Sequence, residues 1–122
     1  MTRKPNTRPT IKKISKDRKS LDIELFQNDT LRPILKMKHD VLLEFFNSYI
    51  HQKKINWINK SIEKKEEFIY QNISKDNTFK NAITHLIVGN FSLEEYIKYA
   101  ANTKEYNKRI WKMIQQRICS QF

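Results

Sequence analysis

Three histidines, one cysteine and two pairs of adjacent carboxylates are the side chains here that could bind a metal or carry out catalysis. His39, His51 and His85 fall in no HExxH or other ligand spacing, and Cys119 has no second cysteine with which to share a zinc ion. Cys119 also has no His or Asp close by in sequence, so it reads as a packing residue rather than a nucleophile. Glu66-Glu67 and Glu94-Glu95 fall in the first turns of predicted helices, where acids favour the positive end of the dipole. A single glycine excludes the GxxxxGK[ST] and GxGxxG phosphate loops. No enzyme, cofactor or metal centre is expected.

Positive charge is the remaining chemical signal. The 122 residues carry a net +11. Residues 1–20 hold eight bases, Arg3, Lys4, Arg8, Lys12, Lys13, Lys16, Arg18 and Lys19, against Asp17. Residues 21–97 hold ten bases and eleven acids, and residues 98–122 hold six bases against Glu105. The middle is neutral and both ends are basic. AT-rich coding also raises lysine, isoleucine and asparagine, but it would do so along the whole chain rather than at its ends. Lys104, Lys108 and Lys112 stand at i, i+4 and i+8, opposite the apolar face of the last predicted helix. Like charges so spaced weaken a helix by a few tenths of a kcal/mol per pair, so an anionic partner gives the row a use; a merely solvated face is the competing account. Lys38 and Arg117 lie near apolar stripes and are expected to snorkel or to pair with an acid.

The elements that must position these groups read as helices. No Asn-Gly or Asp-Gly hairpin signal occurs, and breakers are few, with one Gly and three Pro. The stretch from Thr30 to His51 is expected to be the central helix. Leu31, Ile34, Leu35, Leu42, Phe45, Phe46 and Tyr49 form its stripe, flanked by Leu43 and Ile50. Asp29 or Thr30 would cap it, with Pro33 in the first turn. Before it, Leu21–Gln27 fits either a strand alternation or one or two helical turns; with no second strand to pair, a short helix is favoured. Residues 52–59 form a connection anchored by Ile55, Trp57 and Ile58, and Ser61 opens a helix to about Ile73 with Ile62, Ile69 and Ile73 inside. Phe79, Ala82, Ile83, Leu86 and Ile87 predict a helix that stops at Gly89 in a left-handed conformation. Ser92-Leu93-Glu94-Glu95 is a capping box, with Phe91 and Tyr96 at the staple positions. A last helix is predicted from about Lys104 to Ser120, with Tyr106, Ile110, Met113, Ile114 and Ile118 inward. The Gly89 turn suggests a helix-turn-helix, but Glu94 and Glu95 at the start of its second helix would repel phosphates.

Three strings, Thr30-Leu31-Arg32-Pro33-Ile34-Leu35, Ile87-Val88-Gly89-Asn90-Phe91-Ser92-Leu93-Glu94-Glu95-Tyr96 and Asn107-Lys108-Arg109-Ile110 with Gln116-Arg117-Ile118, carry a resemblance. They are similar to a family of small helical bacterial proteins of unknown function that often carry the label "glyoxalase". The likeness spans about residues 27–122 and leaves out the basic arm. It implies a helical body and transfers no catalytic residues. Glyoxalases proper resemble repeated βαβββ modules with a metal held by His and Glu from strands, a pattern this chain does not show.

The expected architecture is all-α, a compact bundle of four to five helices over residues 21–122 behind a basic, flexible, extended arm, residues 1–20. The arm has too little apolar surface to fold alone. One cysteine, no secretory signal and no membrane-length apolar run predict a reducing, cytoplasmic setting and no membrane partner. The expected function is electrostatic binding of structured RNA, as a ribosomal or ribosome-associated protein, through the eight arm bases with Lys104, Lys108 and Lys112. RNA is preferred to DNA because no credible major-groove reading helix is present. The alternative is a protein-interaction or regulatory helical module with incidental charge.

Overall fold

The computed structural model describes residues 21–122. All regular structure among them is helical. The predicted arm, with Arg3, Lys4, Arg8, Lys12, Lys13, Lys16, Arg18 and Lys19, lies outside the described residues. Six α-helices follow in order: α1 (Arg32–Met37), α2 (His39–Gln52), α3 (Ile62–Glu67), α4 (Asn77–Val88), α5 (Leu93–Ala100) and α6 (Thr103–Cys119). In place of the four to five helices expected, the described residues hold these six α-helices behind a helical segment at 21–26, because the predicted central helix is divided at Lys38.

Residues 21–26 are helical and run through a π-helical turn, Gln27–Leu31, directly into α1. Burial of Ile23 and Phe26 holds this stretch in place. Asp29 and Thr30 thus lie inside a continuous helix and cap nothing, since no free helix start exists there. The Thr30 hydroxyl instead donates to Glu95 Oε2 at 3.3 Å, tying the π turn to α5. Pro33 sits in the first turn of α1, as predicted. At Lys38 the backbone leaves the helical region (φ −97°, ψ 12°), and the expected continuous helix divides into α1 and α2.

α2 ends in a Schellman motif built on lysine. The Ile55 N–H reaches Ile50 O and the Lys54 N–H reaches His51 O, both at 3.1 Å, with Lys54 left-handed at φ 54°. Gly89, expected to hold that conformation after α4, has φ −62° and ψ −11°, an ordinary right-handed residue. It still ends α4, where Asn90 and Phe91 N–H groups close the turn onto Ile87 and Val88 carbonyls. The capping box at Ser92 forms: Glu95 N–H donates to Ser92 Oγ, and Ser92 N–H donates to Glu95 Oε1 at 2.8 Å. Phe91 packs edge-on against Tyr99 and Phe26, whereas Tyr96 of the predicted staple is half-exposed.

Ser61 caps α3, accepting from the Lys64 N–H. Of the residues expected on this helix's inner face, Ile69 and Ile73 are buried while Ile62 is 59% exposed; Ile58, expected to anchor the preceding connection, faces solvent at 89%. Trp57 anchors the preceding connection, as expected, against Phe46, Phe68 and Phe122, and Ile55 is partly buried against the core. α3 passes into a π turn, Phe68–Asn72, in which the Ile73 N–H bonds Phe68 O. The Ile69 carbonyl then accepts from buried Gln115 of α6 at 3.1 Å. α4 is rotated slightly from its expected face: Phe79, Ile83, Thr84, Ile87 and Val88 are buried and Ala82 is exposed.

α6 is the helix around which the others pack. It meets α2, α4, α5 and the Phe68–Asn72 turn. Its Ile110 and Ile114 are fully buried, each contributing roughly 1.5–3 kcal/mol through burial. The Tyr99 hydroxyl of α5 donates to Asn107 Oδ1 at 2.6 Å and fixes the α5–α6 crossing.

Candidate nucleic-acid interface

Burying Tyr106, Ile110, Ile114 and Ile118 in α6 leaves Lys104, Lys108 and Lys112 on its outer side, where all three are exposed. They stand on a ridge between two grooves. The first, of about 510 Å³, runs between α4 and α6 and is lined by all three lysines with Tyr70, Lys80, Thr84, Trp111 and Gln115 among others. The second, about 490 Å³, is shared by Lys108 and Lys112 with Gln27, Arg32, Glu105 and Arg109. A third hollow continues from Arg32 to His39 and Arg117. Basic side chains therefore line one contiguous side of the molecule, with Glu105 and, at the far end beside Lys36 and Arg117, Asp40 as its acids.

Hydrogen bonds orient the guanidinium groups without cancelling their charge. Arg109 Nη1 donates to Gln27 Oε1 and Arg32 Nε to Asn28 Oδ1, each at 2.8 Å. Arg117, expected to snorkel or meet an acid, donates from Nη1 to His39 Nδ1 at 3.2 Å, a neutral acceptor in that tautomer. Among the described residues the ion pairs number one, the exposed Lys64–Glu67 contact at 3.6 Å on α3. The lysine ridge thus has no carboxylate within ion-pairing distance among the described residues.

Aromatic surface accompanies the charge. Trp111 is half-buried at the side of the α4–α6 groove, with Lys80 Nζ 5.6 Å from its ring centroid. The tryptophan is held edge-on by Phe79 at 6.4 Å. Sequence reasoning singled out the ridge but missed Lys80, Trp111, Arg32 and Arg109. Lys80 lies in the neutral middle of the chain, and Arg32 is far from α6 in sequence. Only the adjacency of Trp111 to Lys112 and of Arg109 to Lys108 could have pointed to them.

Among the described residues no group of three or more His, Cys, Asp or Glu is placed to hold a metal ion, and no helix is long and apolar enough to cross a membrane. Burial pushes the Cys119 thiol above its ordinary value, with the Tyr70 hydroxyl opposing and Glu66 adding to the shift. Its thiolate is scarce at neutral pH. Comparison with protein-family models, curated proteins and solved structures finds no match for this chain.

Proposed function

We propose that this chain binds structured RNA electrostatically, as a cytoplasmic ribosomal or ribosome-associated protein. Residues 1–20 serve as a basic arm and residues 21–122 as the helical body. The observation that supports this best is the row of Lys104, Lys108 and Lys112 on α6, exposed, without ion pairs among the described residues, and extended by Lys80, Arg32 and Arg109. Such a face neutralises phosphates and releases their counterions, giving affinity without base sequence. The charge of the arm adds eight bases to the same term.

A second reading, a protein-interaction module, is favoured by one observation. Leu93, Tyr96 and Ile97 project from α5 at 76%, 49% and 60% exposure, at helical spacing. Fluorescence anisotropy of a structured RNA across a salt series separates the two. The RNA-binding reading expects log K to fall linearly with log salt, and the triple Lys104→Gln, Lys108→Gln, Lys112→Gln variant to lose up to about 2–3 units of slope. It also expects the protein to co-sediment with ribosomes at low salt and leave at high salt. Absence of salt-dependent affinity for any structured RNA overturns it.

A further inference from the structure

The floor of the α4–α6 groove holds polar groups that the fold does not use. Thr84 and Gln115 line the groove and are 5% and 7% exposed. The Gln115 amide nitrogen donates to Ile69 O, which leaves its Oε1 as an acceptor without a partner among the described residues. The Thr84 hydroxyl also has none, in contrast to Thr103, whose hydroxyl donates back to Tyr99 O. Buried polar groups are seldom left unpaired, and these two line the groove together with Trp111 and Tyr70. The rim carries the three ridge lysines.

From this combination, and resting on the RNA-binding reading above, we infer that the groove receives one unpaired base of the bound RNA. The base stacks on Trp111, its polar edge meets Gln115 Oε1 and the Thr84 hydroxyl, and its phosphate lies on Lys108 and its neighbours. Any base offers an N–H to Gln115, and a threonine hydroxyl both donates and accepts, so one site takes all four bases with little discrimination. Lys80 marks the stacking position: its ammonium lies over the Trp111 ring, and its flexible stem lets it move to a phosphate when a base arrives. A volume of about 510 Å³ is in the range of small-molecule sites. Paired bases in an A-form helix are unavailable to such a groove, whereas bulges and loops present them. A free nucleotide offers the same chemistry, and the test must distinguish it.

The test uses the full chain with three probes: an RNA hairpin with one bulged uridine, the same hairpin fully paired, and uridine 5′-monophosphate. The bulged hairpin is expected to bind roughly five- to hundredfold more tightly than the paired one, the range that base–aromatic stacking supplies. Trp111→Leu should bring it down to the level of the paired hairpin while leaving the salt slope unchanged. A 5-bromouridine at the bulge, irradiated on the unaltered protein, should crosslink to the peptide containing Trp111, which gives a result even if the variant folds poorly. Equal binding of the two hairpins, or a crosslink elsewhere, overturns the base site while leaving electrostatic RNA binding intact. Binding of the monophosphate as tightly as the bulged hairpin overturns it in favour of a free-nucleotide site. Failure of both hairpins to bind overturns the RNA-binding reading and the base site together.

Discussion

Asp76 joins two helices through one carboxylate. Its Oδ1 accepts from the Phe79 N–H at 3.1 Å, capping α4, and its Oδ2 accepts from the Tyr49 hydroxyl of α2 at 2.7 Å. The Tyr49 hydroxyl first, and then the Phe79 N–H, hold Asp76 below the usual carboxylate range. Burial, aided by the bond to Asp76 and its charge, pushes Tyr49 up to about 12. The two shifts act at opposite ends of the pH scale. A depressed carboxylate contributes stability that is present above its unfolded value, about 4, and lost as pH falls through the folded one. A raised phenol contributes stability that is complete below 10 and lost as pH rises towards about 12. Tyr49→Phe is expected to lower the melting temperature by a few degrees at neutral pH. It should also flatten the acid limb and reduce the alkaline loss between about 10 and about 12, to which the raised phenols of Tyr70, Tyr99 and Tyr106 still contribute. Thermal melts followed by circular dichroism across pH check this; an acid limb identical to that of the parent would show that the pair contributes nothing. Nothing in the sequence joins Asp76 to Tyr49, 27 residues away.

Among the elements, the turn after α2 shows how little residue type alone decides. Gly89 is the only glycine in the chain, yet the left-handed residue among the described residues is Lys54. The 6→1 and 5→2 hydrogen bonds of the Schellman motif hold it there, and the Ile55 side chain packs partly buried against the core. An L-residue in that conformation costs about 1–2 kcal/mol, so Lys54→Gly should stabilise the protein by about 1 kcal/mol. A raised urea midpoint with an unchanged m-value is the expected result, and a lowered midpoint would contradict the left-handed assignment. The π turns are a second case. In the one at Phe68–Asn72, the Ile73 N–H skips one residue, and the carbonyl this frees at Ile69 receives Gln115. No residue pattern announces a π turn, because its stability comes from the partner that uses the released group.

For the molecule as a whole, the packing centre is α6 rather than the stretch Thr30–His51. Both are amphipathic, but α6 is uninterrupted and meets four other elements, whereas the earlier stretch is divided at Lys38. Ile114→Asp is therefore expected to unfold the body, since it places an unpaired charge where nothing is exposed. Ile62→Asp, in an equally apolar sequence context but at 59% exposure, should change stability by no more than about 0.5 kcal/mol. Far-UV circular dichroism and melting temperature distinguish the two, and equal effects would contradict the observed packing of α6.

Local rules carried some features all the way to the structure. Ser61 and Ser92 start helices because their hydroxyls answer N–H groups three residues on, and that spacing is written in the chain. The spacing of Lys104, Lys108 and Lys112 places them on one side of α6 wherever that helix lies, because 3.6 residues make a turn. The hydrophobic periodicity likewise determined an all-helical class. What lies beside the lysine ridge is another matter. Lys80, Thr84 and Trp111 reach one groove because α4 and α6 cross at a particular angle and depth. Arg32 and Arg109 reach the other because a π turn brings Gln27 against α6. Ile58 and Ile62 point outward because Trp57 already fills the space against Phe46, Phe68 and Phe122. These outcomes depend on the volume left between elements distant in sequence, and only the packed tertiary structure decides it.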